Sequence, residues 1–226
     1  MADNYLEKRM DDLRSGRLTA SGNTQKRSGS SSKSGHLAIP FPERRVMIVG
    51  SAERLAGAIA VAFRRARCKT ALFDNDKSAG ERLAHDHGIR FHNADTCNRE
   101  ELKNAMSNLL DAWHDIDIAI FIKNDDESGE ETLQTIREVI HQWRMKLPFP
   151  NPYGGRLIII SPNFPDETDK NEVKLQSHGF TSNNIIIKET ENPPIDSLSR
   201  LCLFLCAPGN EYISGAVIPV YDIINQ

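Results

Sequence analysis

RVMIVGSAERLAGAIAVAFRRARCKTALFD, residues 45–74, is the stretch that decides the fold. A short apolar run, Val46 to Val49, meets Gly50. An Ala-rich stretch of helical character follows, and a second apolar run ends in Asp74. Continuous apolar runs of this length predict strands buried on both faces. A glycine where strand turns into helix lets two backbones, or a backbone and a ligand, approach closely. The order is therefore strand, tight turn, helix, strand, acid.

Outward from this unit the same alternation continues to the end of the chain. The pattern predicts strands at 45–50, 69–74, 89–93, 117–122, 156–161, 184–189 and 215–220. Helices are expected at 53–66, 77–87, 98–113, 130–146 and 196–206. Asn98 is placed to cap the third helix, with Glu100 and Glu101 in its first turn. Leu133, Ile136, Ile140 and Trp143 share one face of the fourth. Such alternation means an α/β fold, a Rossmann-like doubly wound parallel sheet of about seven strands covered on both faces.

Composition agrees with a globular chain. Of 226 residues, 39% are hydrophobic and 26% charged, with a net charge of −3. The charge gives no global argument for nucleic acid. No apolar run approaches the ~20 residues needed to span a bilayer. The N-terminus MADNYLEKRMDDL has no apolar core of a secretory signal, so a cytoplasmic location is expected. Residues 1–18 read as an N-terminal helical arm, with Leu6, Met10 and Leu13 on one narrow face. Residues 19–43 read as a flexible linker, rich in Ser, Gly and Lys over 19–36. Residues 44–226 form the main domain.

Most of residues 44–221 resembles the short-chain dehydrogenase/reductase family, on landmarks in the family's order. Gly50 matches the first glycine of its cofactor turn, and AIAVAFRRARCKTALFD the helix and strand that follow. Asp95, in FHNADTCNREEL, matches the acid after the third strand. IDIAIFIKN and GGRLIIISP match the fourth and fifth strands, and LCLFLCAPGNEYISGAVIPV the last helix and strand. The resemblance implies that Asp74 receives the adenosine ribose hydroxyls of NAD(H) and that Asp95 sits by the adenine. It also implies a pyrophosphate over the helix N-terminus.

The departures lie at the chemistry. Arg54 and Ala56 stand where the second and third glycines belong. Arg54 either blocks the pyrophosphate or pairs with it, and Glu53 would repel it. The turn after the fourth strand reads Phe121-Ile122-Lys123-Asn124 rather than Asn-Asn-Ala-Gly. Ser161 matches the residue before the family's active-site serine, and Pro162 takes that serine's place. The Tyr-x-x-x-Lys pair is absent, since neither Tyr5, Tyr153, Tyr212 nor Tyr221 has a lysine four residues on. The helix after the fifth strand, which carries that pair, is expected to be shortened or missing. In the family a lysine lowers the tyrosine's pKa from ~10 toward working pH, and the tyrosine moves the proton. Without them no catalytic residue is assigned, although Lys170, Lys174, His178 or Tyr153 would be the substitutes to consider.

The remaining candidates read as structure. His85-Asp86-His87 resembles a metal site, but residues two apart on a helix face different ways, so no metal is expected. Cys202 and Cys206 share a helix face with leucines and belong to the core. The basic residues of the arm lack interleaved aromatics, which argues against nucleic acid. Loss of the helix after the fifth strand would expose the Ile158, Ile160, Ile185 and Ile187 faces. The cover expected there is segment 162–183, the N-terminal helix or a second subunit. Partners are thus a homo-oligomer or a related subunit, with no nucleic acid and no membrane. Three functions remain open: a protein that has lost hydride transfer and acts by binding or assembly, a divergent NAD(P)-dependent oxidoreductase, and a nucleotide or small-ligand sensor. No cofactor is certain, and NAD(H) is the one implied if any binds.

Overall fold

A computed structural model describes residues 41, 43–123, 128–146, 154–162, 179–187 and 194–220. The chain divides after Ala38 into two units, and the account below concerns the second, Ile39–Gln226. The N-terminal arm and nearly all of the linker lie outside the described residues, as does most of segment 162–183.

The elements are β1 (Arg45–Val49), α1 (Leu55–Arg65), β2 (Lys69–Asp74), α2 (Lys77–His87), β3 (Arg90–Asn93) and α3 (Arg99–Trp113). They continue as β4 (Ile118–Ile122), α4 (Ser128–Arg144), β5 (Gly155–Ser161), β6 (Phe180–Ile187), α5 (Ile195–Cys206) and β7 (Val217–Val220). The strands form one seven-stranded sheet in the order β3-β2-β1-β4-β5-β6-β7. Every pairing is parallel. The chain starts in the middle, winds out to β3, and returns to lay β4 beside β1. That reversal opens a crevice beyond the carboxyl ends of β1 and β4, the usual ligand position in such sheets.

The expected elements form, with shifted starts: α1 and β7 begin two residues late, at Leu55 and Val217, while α4 and β6 begin early. α4 begins at Ser128, two residues before the expected start at 130, and β6 begins at Phe180 rather than 184. The early start of β6 follows from its register: Gly155 pairs with Phe180, and the two strands run together as far as Ser161 and Ile186. The Asn98 side chain does cap α3, accepting the Glu100 and Glu101 N–H groups at 3.2 Å each. Asp76 caps α2 by accepting the Ala79 N–H at 3.0 Å.

Side chains alternate across the sheet with the period of two that strands impose. Val46, Ile48, Ile120, Ile158, Ile160 and Ile185 face α1 and α5. Met47, Val49, Phe73, Ala119, Leu157 and Ile159 face α3 and α4. This corrects the expectation for the isoleucines. Ile158, Ile160 and Ile185 are no more than 1% exposed, because α5 brings Leu198, Cys202 and Leu205 onto that face. Ile187 packs there half-buried.

The amino ends of the strands carry a buried charge network. Arg45 donates to both oxygens of Asp117, at 2.9 and 3.1 Å. Arg144, at the end of α4, pairs with Asp115 at 3.2 Å and donates to the Ile116 carbonyl at 3.0 Å. Its guanidinium lies 4.7 Å from the centre of the Phe180 ring. Burial pushes the Asp115 carboxyl up, and the Arg144 guanidinium opposes that.

Candidate functional site

The turn after β1 is shaped by contacts that glycine alone permits. Gly50 has φ +149°, and a Cβ there would lie 3.0 Å from the Ile122 Cβ and 3.3 Å from that of Ala56. The substitution at the third glycine position is thus accommodated, with Ala56 only 1% exposed. Gly57 takes over a close approach the sequence reading did not assign. A Cβ on it would stand 2.0 Å from the Ala52 carbonyl oxygen. Its signal was the Gly inside LAGAIA, one position past the family's third glycine.

Asp74 closes this turn from β2. One carboxylate oxygen accepts the Ala52 N–H at 2.7 Å, and the other accepts the Asn75 N–H at 2.8 Å. The side chain is largely buried at the floor of a crevice.

The crevice holds about 330 Å³. Gly50 and Ser51 form one wall, Asp74 to Asp76 the floor, and Phe121 with Ile122 the end toward β4. Opposite stand Thr96 and Cys97 with the first turns of α4, Ser128, Gly129 and Thr132. That wall is tied together by two contacts. The Thr132 hydroxyl donates to the Thr96 carbonyl at 2.9 Å, and Cys97 Sγ lies 3.4 Å from Ser128 Oγ. Ser128 and Gly129 were missed because the helix was expected to start at 130, and Thr132, inside that helix, carried no signal of the crevice in its spacing.

The predicted site residues separate into two places. Gly50 and Asp74 meet in the crevice. Asp95 lies beside it, exposed, with Oδ1 accepting the Cys97 N–H at 3.0 Å. Its neighbours Thr96 and Cys97, not Asp95 itself, line the wall. Arg54 lines a different hollow of about 410 Å³ on the outer side of α1, with Arg65, Arg82 and Ser199. At the β4 end, Lys123 pairs with Glu130 of α4. Ser161 is buried at the end of β5. Lys170, Lys174, His178 and Tyr153 lie outside the described residues.

Titratable groups sharpen this picture. Burial pushes the thiols of Cys68 and Cys202 up to about 11 and about 12, and that of Cys206 well above its usual value. Cys97 is the exposed cysteine, and it lines the crevice. His85, Asp86 and His87 are exposed on the last turn of α2, and among the described residues no group of three metal-ligating side chains occurs. No described helix is long and apolar enough to cross a membrane.

No protein-family model matches this sequence, and no curated protein sequence matches it. Solved structures do match. A 7α-hydroxysteroid dehydrogenase complexed with NADH and 7-oxo glycochenodeoxycholic acid has TM-score 0.64 at 13% identity, covering 78% of this chain and 92% of its own. An enoyl-(acyl-carrier-protein) reductase from Anaplasma phagocytophilum, in complex with NAD, has TM-score 0.64 at 14% identity over 82% and 95%. A citronellol catabolism dehydrogenase from Pseudomonas aeruginosa has TM-score 0.65 at 15% identity over 83% and 97%. At these identities the likeness shows the fold: a Rossmann-like sheet of the short-chain dehydrogenase/reductase type.

Proposed function

We propose that this protein is a short-chain-dehydrogenase-like binding protein that has lost hydride transfer and works through the crevice beyond β1 and β4. The observation that carries this reading is the crevice itself. It keeps Gly50 and Asp74 in place but ends at Ile122, whose side chain lies against the Gly50 turn.

The fold implies a dinucleotide, and the residues fit only part of one. Asp74 is positioned for hydroxyls at the adenosine end. The stretch that would take the pyrophosphate does not fit as well. The Ala52 N–H is held by Asp74, and Arg54 lines the other side of α1. At the reacting end the sequence has no Tyr-x-x-x-Lys pair, and Lys123 is paired with Glu130. General acid–base assistance is worth ~10²–10⁴ in rate, so its loss removes useful turnover by the family's route.

The test combines calorimetry with absorbance at 340 nm. Adenosine, the adenosine-containing fragment of NAD(H), should give heat that Asp74→Ala removes, while NADH with a panel of carbonyl compounds shows no turnover. Oxidation of NADH above background would overturn the reading in favour of the divergent oxidoreductase.

A specific observation also favours self-association. β7 pairs with β6 and with no described strand on its other side. Around it Tyr212 is 96%, Phe204 45% and Val217 40% exposed. An open strand edge with apolar neighbours invites pairing with a second copy or a related subunit. Sedimentation velocity should show a dimer or larger species that Val217→Lys with Phe204→Glu dissociates.

A further inference from the structure

We infer that the crevice selects an uncharged, hydroxyl-bearing ligand of nucleoside size and discriminates against its phosphorylated forms. This rests on the crevice being a live binding site. It departs from what the fold alone implies, because the charges arranged here are wrong for a diphosphate.

Consider first what faces the ligand. Among the described residues, Asp74 and Asp76 are the charged ones lining the crevice, and no described lysine or arginine lines it. A phosphate placed within it therefore enters the field of two carboxylates, without a cation to offset them. A neutral ligand meets the same groups as hydrogen-bond acceptors. Asp74, Asp76, Ser51, Thr96 and Ser128 together offer the oxygens that hydroxyls and amino groups seek.

Next consider where the nearby cations go. Arg54, the cationic side chain of the Gly50 turn, lines the hollow on the outer side of α1. Arg82 faces that same hollow and lies 3.7 Å from Glu53. Lys123, which follows the lining residue Ile122, is paired with Glu130. The positive end of α4 points at the crevice, but Glu130 and Glu131 stand in its first turn and offset the helix dipole.

The donors and the space agree. The Ala52 N–H of the turn, a natural phosphate ligand, is already bound by Asp74 at 2.7 Å. A volume of about 330 Å³ is near the lower limit for small-molecule sites, with Phe121 and Ile122 lining it on the β4 side. It accommodates a nucleoside and not a whole dinucleotide.

The full-length protein would be titrated calorimetrically with adenosine, AMP, ADP-ribose and NAD⁺ at low and high salt. Affinity should fall about tenfold from adenosine to AMP and further to ADP-ribose, with a gap that narrows as salt rises. Asp76→Asn keeps the α2 cap, since Asn caps as well as Asp, and removes one charge from the wall. In that variant the adenosine-to-AMP ratio should fall several-fold. AMP or NAD⁺ binding as tightly as adenosine would overturn the inference and leave the live crevice standing. An unchanged ratio in Asp76→Asn would overturn it as well. No heat with any of the four, together with unaltered maleimide labelling of Cys97 in their presence, would overturn both the inference and the crevice reading.

Discussion

The two ends of the parallel sheet both gather charge, and they use it differently. At the amino ends of the strands, Arg45, Asp115, Asp117 and Arg144 pair with each other across β1, β4 and α4. At the carboxyl ends, Asp74 and Asp76 are held by backbone N–H groups of the turns and the helix start beside them, and leave their crevice open. Paired side chains fill space and tie elements together. Carboxylates satisfied by backbone keep their remaining lone pairs available to a ligand. The first arrangement builds stability, and the second builds a site.

The strongest way to break this contrast is at the closed end. Arg144→Met removes the buried partner of Asp115 and the cation over Phe180. Arg45 stays 3.6 Å from Asp115, so losing the Arg144 partner is expected to cost about 3 kcal/mol, the low end for a broken buried pair. Urea unfolding should show that loss, while adenosine affinity measured under native conditions stays within a factor of two. If binding falls in step with stability, the two ends are one cooperative unit and the contrast fails.

The converse variant acts at the open end. Gly50→Ala puts a Cβ at φ +149° and 3.0 Å from Ile122. Such strain costs about 1–3 kcal/mol, no more than the loss of Arg144. Yet the adenosine heat should disappear, because Ile122 or the turn must shift into the crevice. Retained binding would show that the Gly50 turn does not border the ligand.

Much of the fold was legible because strands and helices announce themselves by period. α2 forms over 77–87 as the pattern predicts, and the Asn98 cap is where the side chain chemistry puts it. What periodicity does not carry is which face a strand residue takes when the strand is apolar throughout. Ile158, Ile159 and Ile160 are consecutive, so no alternation distinguished the α5 face from the α4 face. The site was half legible. Gly50 and Asp74 follow from the strand–turn–helix–strand order. The direction of the Arg54 side chain, the pairing of Lys123 and the use of Gly57 depend on contacts between segments, which spacing alone does not encode. The Arg144–Asp115 pair was missed for the same reason, its partners being 29 residues apart in the sequence.

The smallest effect is also the most specific, because the two ends should respond to acid with opposite signs. His92 on β3 stacks on Phe73, the neighbour of Asp74, with ring centres 4.7 Å apart. Burial, with Arg90 adding, pushes its imidazole down to about 4. The folded state thus favours the neutral ring, so this stability is present above the unfolded value of about 6.5 and is lost as pH falls toward 4. Asp115 at the other end is shifted up by burial. Its contribution is full below the unfolded carboxylate value and is lost as pH rises through the folded one. Between pH 6.5 and 4, acid therefore weakens the β3 side while it relieves the Asp115 side. His92→Phe keeps the stack and removes the first slope, an effect of about 1 kcal/mol once partial solvent screening is allowed for. Thermal unfolding across that range should show a flatter acid limb in His92→Phe and a steeper one in Asp115→Asn. Identical limbs in all three proteins would mean that neither group's protonation differs between folded and unfolded chains, and the electrostatic contrast between the ends would lose its pH signature.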